Sequence, residues 1–150
     1  MAMQVLSFLA IVLTGLTLVA PGAHLLELPN KIVLAESQYF TVQGIYRGWW
    51  LVGLALPAAF VANLALAIVV RHADRIAFWL AIAAAALIAA NLIVFFIWTQ
   101  PANAVTANWT LRPANWQILR QQWEYSHAVN AGIAFLAFCL VTVASLRAST

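Results

Sequence analysis

Arg120, Glu124 and His127, at the start of the last apolar segment, have the types and spacing that acid–base chemistry needs. On a helix of about 100° per residue they share one face with Trp116, Trp123 and Asn130, within an arc of roughly 120°. The spacing sets an Arg–Glu pair at i,i+4 and a Glu–His pair at i,i+3. In such a stripe Glu124 would favour proton uptake by His127 and hold its tautomer, making the imidazole a general base. Arg120 would steady an enolate or phenolate oxygen. Without catalysis, the same three groups would neutralise one another where helices meet lipid headgroups.

Further polar and aromatic residues gather on the same side. Arg47 and Trp50 share a face with Gln43 at i,i+4,i+7, and Asn91 shares one with Phe95, Trp98 and Thr99. Asn91 is deep enough to reach the floor of a cavity, whereas Asn63 lies roughly 12 Å away in depth and is expected to hydrogen-bond between helices. Asn103 and Trp109 belong to a polar, aromatic block, residues 98–130, that holds four of the seven tryptophans. The expected catalytic set is therefore His127, Glu124 and Arg120. The expected binding set is Arg47, Trp50, Asn91, Trp98, Asn103, Trp109, Trp116, Trp123 and Asn130.

The elements that position these residues are membrane helices. Only 7% of the 150 residues are charged and 65% are hydrophobic, against roughly 25% charged in soluble domains. Four apolar segments, about residues 5–23, 49–70, 76–98 and 127–146, have the roughly 20 residues that a span requires. The fold expected is all-α: an integral membrane four-helix bundle, one domain over residues 1–150, with two long loops on one membrane side. The first segment reads as a retained helix, because MAMQ lacks a basic n-region. Pro57 should bend the second span. The fourth helix should begin near Pro113, a good first-turn residue.

The second and third spans are joined by a tight turn, residues 71–75, so the links 24–48 and 98–126 emerge together on the opposite side. The first link has room for a short interfacial helix between Glu27 and Tyr46. Arg71, Arg75 and Arg147 on one side face Lys31, Arg47, Arg112 and Arg120 on the other. The tight turn and its arginines favour the cytoplasm for that end and the outside for the long loops. Six of the seven tryptophans and all three tyrosines lie on the long-loop side. A plain anchoring belt would be two-sided, so the excess points to an aromatic cap over the bundle mouth. Such a cleft suits a flat, lipophilic aromatic small molecule.

Other chemistries fit less well. His24-x-x-Glu27 and Glu124-x-x-His127 have the His/Glu spacing of bundle metal sites, but a di-metal centre needs more carboxylates than this chain offers. A haem between His24 and His127 is a further alternative. The expectation is no metal and no cofactor. Lone Cys139 excludes an internal disulfide. The formal charge of +3 forms no basic stripe, so no nucleic-acid partner is expected. Asn108-Trp109-Thr110 is a sequon, a pattern frequent by chance.

The segments IYRGWWLVG (45–53), FFIWTQPANAVTANWT (95–110) and NWQILRQQWEYSHAVNAG (115–132) together resemble the anthrone-oxygenase-like family of small four-helix membrane proteins. Most members are uncharacterised and many are bacterial. The shared pattern falls on Pro101, Asn103, Trp109, Trp116, Arg120, Trp123 and His127, and the likeness covers roughly residues 40–146. It implies a bacterial inner (plasma) membrane location. It also implies a cofactor-independent oxygenase or oxidase in which His127 removes a proton and the resulting carbanion meets O₂. The long first link and IYRGWW depart from the characterised fungal members. The alternative is a non-catalytic accessory subunit or a lipid- or quinone-binding protein. Beyond the lipid bilayer, the partners open are a second copy or another membrane protein.

Overall fold

The computed structural model describes residues 2–148. Among them are helices α1 (Ala2–Thr17), α2 (Val19–Lys31), α3 (Glu36–Gln43), α4 (Ala55–Val70), α5 (Arg75–Val94), α6 (Gln100–Val105) and α7 (Trp116–Ala148), with no strand. Four stretches are long and apolar enough to cross a membrane: Met3–Lys31, Trp49–Val70, Arg75–Val105 and Trp116–Ala148. This is the architecture of an integral membrane protein. α1 packs on α4, α4 on α5, α5 on α7 and α7 back on α1, closing a ring of four.

The bundle is small inside and large outside, as expected where lipid replaces water. Near the short turn the core is Ala10, Ala62, Leu66, Ala67, Ala77, Ala81, Ala84 and Ala144 with Val70 and Val141. Phe8, Val61, Ile68, Phe135 and Leu146 project outward. Gly15 lets α1 close on α7, since a Cβ there would stand 3.3 Å from the Phe138 ring. Asn63 donates to the Thr14 hydroxyl at 2.9 Å, the interhelical bond its depth implied.

Helix runs further than hydropathy alone marks. At about 1.5 Å per residue the 33 residues of α7 span roughly 50 Å, well beyond a hydrocarbon core of about 30 Å. α7 begins at Trp116, three residues after Pro113, because the preceding residues form a turn in which the Trp116 amide bonds the Pro113 carbonyl. At the opposite membrane end Asp74 caps α5, accepting the Ile76 and Ala77 amides at 2.8 and 3.0 Å and the Arg147 guanidinium at 3.0 Å. The Ala77 amide leads in holding this carboxyl below the usual carboxylate range.

Proline shapes the other half. Pro21 has no N–H for the Thr17 carbonyl, and the first span breaks at Leu18, whose amide bonds Gly15 instead. Pro57 falls in the first turn of α4, where its missing donor does no harm. The chain before it, Trp49–Leu54, is wound as a 3₁₀ helix with no buried residue, entered through Gly48 at φ 90°. Pro101 likewise removes the donor for the Ile97 carbonyl. The preceding turn widens to a π-helix, Phe95–Thr99, in which the Gln100 amide reaches back to Phe95.

Candidate functional site

These three irregularities surround one hollow. A cavity of about 970 Å³ opens in the long-loop half of the bundle. Its walls come from the kinked first span (Thr17, Pro21, His24), the 3₁₀ segment (Trp49, Trp50, Gly53), the π-turn (Phe95, Phe96, Thr99) and α7 (Trp123, His127, Asn130). Asn91 lies on its deep side, donating to the Asn130 carbonyl at 3.0 Å. The Thr99 and Ser126 hydroxyls bond each other at 2.7 Å.

Of the expected site residues, Arg47, Trp50, Asn91, Asn103, Trp109, Trp123, His127 and Asn130 line this cavity. Glu124, Arg120, Trp98 and Trp116 stand outside its lining. The π-turn accounts for Trp98: the extra residue in the turn swings it to a half-exposed position and puts Phe96 on the wall. Its carbonyl is taken by Gln122 at 2.7 Å. Gln43, Arg47 and Trp50 are not on one helix, because α3 stops at Gln43 and Gly48 reverses the backbone. They meet at the cavity all the same.

The face of α7 does turn inward, but its pairings differ from those the spacing implied. Glu124 is fully buried and accepts Lys31 Nζ at 3.2 Å and the Tyr39 hydroxyl at 2.9 Å. Arg120 instead donates to the Leu34 carbonyl at 2.8 Å and lies over the Trp116 ring at 4.6 Å and the Tyr39 ring at 5.4 Å. The i,i+4 and i,i+3 pairs lose because the Lys31 ammonium and the Leu34 carbonyl, brought in from another segment, are better placed than the helix neighbours. His127 makes no hydrogen bond to any described residue. Its ring stands 4.4 Å from His24 and 4.3 Å from Trp123, centroid to centroid.

Lys31 is the hub that spacing did not single out. Its ammonium, on a side chain only 3% exposed, lies 3.3 Å from His24 Nδ1, 3.3 Å from Glu27, 3.0 Å from the Tyr46 hydroxyl and 3.2 Å from Glu124. Tyr46 also donates to Glu27, and Gln43 donates to Tyr39 at 2.5 Å. Burial first, then the Glu124 carboxylate, pushes the Tyr39 phenol well above its usual range. Burial and its bond to Glu27 do the same to Tyr46. The signal was present in the sequence: α2 continues to Lys31, which places His24, Glu27 and Lys31 on one face at i,i+3 and i+7.

Over this network sits the aromatic cap. Tyr39 and Phe40 of α3, Trp109, and Trp116 and Trp123 of α7 form one buried cluster with Ala102 and Leu119. Trp123 Nε1 donates to Asn103 at 2.8 Å. Ala107, Asn108 and Trp109 are consecutive left-handed residues, at φ 46°, 55° and 65°, and the Thr106 hydroxyl holds the turn by accepting the Trp109 amide at 3.0 Å. The strain puts the Trp109 indole on the cavity wall.

A porphyrin does not fit between His24 and His127, whose rings are in contact. Among the described residues no three His, Cys, Asp or Glu side chains converge as a metal-binding set, and the Lys31 ammonium occupies the centre of the carboxylates. No protein-family model, curated protein or solved structure matches this chain.

Proposed function

We propose that this membrane protein binds a flat, lipophilic aromatic molecule in the indole-walled cavity and oxidises it with O₂, without a cofactor. The observation that carries the proposal is a roughly 970 Å³ aromatic hollow whose wall holds an imidazole, His127, that makes no hydrogen bond to any described residue. A neutral histidine has a lone pair to take a proton, and at neutral pH an ordinary imidazole is mostly in that form. Its resemblance to the anthrone-oxygenase-like family supports an anthrone-type substrate, a diaryl ketone with an acidic CH₂ opposite the carbonyl.

The chemistry balances with O₂ as the only oxidant. His127 takes one proton from the CH₂, and the ring system holds the electron pair as an enolate. That pair reduces O₂, forming a C–O bond, and the peroxide recovers the proton to give a hydroperoxide. Loss of the second C–H proton, with O–O cleavage, leaves the quinone carbonyl and water. Trp109, Trp123 and Phe95 stack on the ring system, while Asn91 and Asn130 sit at the deep end. Arg120 and Glu124 act from outside the cavity, holding α3 and the first link against α7.

The test uses purified protein in lipid nanodiscs with anthrone. Binding should quench tryptophan fluorescence, and O₂ uptake should accompany anthraquinone formation. His127→Ala should keep the quenching and lower the uptake about 100-fold. Quenching with no uptake in the wild type would leave a binding protein rather than an enzyme. Absence of both would end the proposal.

A further inference from the structure

His24 is the second imidazole on the cavity wall, its ring 4.4 Å from that of His127, centroid to centroid. The side chain is buried, and its two nitrogens have different surroundings. Nδ1 faces Lys31 Nζ at 3.3 Å. Nε2 makes no hydrogen bond to any described residue, yet packing does not seal it, so it opens on the hollow. We infer that His24 is a neutral hydrogen-bond donor, its proton kept on Nε2 by Lys31, which holds the oxygen that becomes charged when O₂ adds beside His127. This deepens the reaction proposed above and rests on it.

The place of the ring proton follows from a count of lone pairs. An ammonium has three hydrogens, and each carboxylate oxygen offers about two acceptor sites. Tyr46 donates to Oε2 of Glu27. Lys31 Nζ stands 3.3 Å and His24 Nδ1 3.4 Å from that same oxygen. With the ring proton on Nδ1, the ammonium would turn its third hydrogen to Oε2, which would then face three donors. The Nδ1–H would also confront a cation 3.3 Å away. With the proton on Nε2, the ammonium hydrogens go to Nδ1, the Tyr46 oxygen and Glu124, while Oε2 keeps Tyr46. Every hydrogen of Lys31 and Tyr46 then has its own acceptor, and no proton on Glu27 is needed.

A base and a donor side by side suit the addition of oxygen. His127 takes the C–H proton. The enolate pair forms the new C–O bond, oxidising the carbon and reducing O₂ to a peroxide whose charge rests on the outer oxygen. That oxygen hangs from the carbon that lies against His127, and the His24 ring is in contact with His127. A fixed donor aimed at developing charge is worth about 10²–10³ in rate. Neutral imidazole serves as an electrophile of this kind in enolate chemistry. The Nε2–H bond of His24 does not break. The outer oxygen takes the proton held by His127, which gives the hydroperoxide and returns the base to its neutral form. Lys31 touches no reacting atom and acts only by positioning the His24 proton.

The full chain in nanodiscs tests this, first without turnover. NMR of nitrogen-labelled histidine should show His24 with a protonated Nε2 and a bare Nδ1 at neutral pH. A protonated Nδ1 would overturn the inference. In Lys31→Met/Glu124→Leu the ammonium is gone, and Nδ1 should gain the proton and donate to Glu27. An unmoved proton there would overturn the part given to Lys31. His24→Leu should keep the wild-type quenching of tryptophan by anthrone yet take up O₂ about 100-fold more slowly. His24→Gln, which restores an N–H, should recover most of that rate. Wild-type uptake in His24→Leu would sink the donor role. If the wild type itself leaves anthrone unoxidised, the proposed reaction falls, and bound anthraquinone then decides about His24 alone. Its carbonyl infrared band should lie lower in the wild type than in His24→Leu, and equal bands would overturn the inference.

Discussion

The ammonium of Lys31 stands 3.2 Å from Oε1 of Glu124, with both side chains sealed from solvent, and this pair fastens the end of the first span to the last. Removing one partner leaves a buried charge uncompensated, which costs about 3–5 kcal/mol, whereas replacing both with apolar groups is often neutral. Lys31→Met should therefore destabilise the protein by that order, and Lys31→Met/Glu124→Leu should recover much of the loss. Chemical unfolding in detergent measures both. Equal losses in the single and double variants would show that the ion pair is not what joins the two helices.

Two pH limits follow from groups outside the spans. Tyr39 and Tyr46 are held protonated in the folded chain, while an unfolded tyrosine ionises near pH 10. Above that pH the unfolded state has lost protons that the folded state keeps, so stability falls as pH rises. Tyr39→Phe should reduce that alkaline loss while costing about 1.5–3 kcal/mol at neutral pH from its bond to Glu124. Asp74 works in the opposite sense. Its lowered folded value gives stability that is complete above the unfolded carboxylate range and is lost as pH falls through the folded value. Asp74→Ala should lower the melting temperature at neutral pH but not in acid below the folded value. Melting curves at alkaline, neutral and acid pH check all three.

Pro101 widens the turn that builds one cavity wall. Pro101→Ala restores a donor for the Ile97 carbonyl, and the segment should revert from π to α winding. That rotation would bring Trp98 toward the bundle and turn Phe96 off the wall. Anthrone affinity should weaken about tenfold, ~1.4 kcal/mol, with folding retained. Unchanged affinity would mean that the π-turn does not shape the cavity.

Composition and apolar length made the four spans and the short turn between the second and third legible in the sequence, because lipid allows little else. The inward face of α7 was legible for the same reason: Trp123, Glu124 and Asn130 cannot face lipid. Partners were not legible. Arg120 and Glu124 sit at helical spacing, yet Leu34 and Lys31, from a different segment, win them. The π-turn hid the displacement of Trp98, since a period of 3.6 assumes no inserted residue. Lys31 went unnoticed because a lone lysine after an apolar run reads as an anchor. Only the helical continuation through His24 and Glu27 turns it inward.

The left-handed turn at the cavity mouth gives the last prediction. Ala107 has φ 46°, a conformation that costs an ordinary residue about 1–2 kcal/mol, and its side chain is exposed. Ala107→Gly removes that cost but adds about 0.5–1 kcal/mol of chain entropy to be lost on folding. The net should be a gain of up to about 1.5 kcal/mol. Thr106→Ala should do the reverse, because the hydroxyl that accepts the Trp109 amide and donates to the Ala102 carbonyl at 2.8 Å is lost. A loss of roughly 1 kcal/mol is expected, with a red-shifted tryptophan emission as Trp109 leaves its cluster. Thermal unfolding together with emission spectra decides it. If Ala107→Gly is destabilising and Thr106→Ala leaves the emission unmoved, this turn is not a strained device for seating the indole.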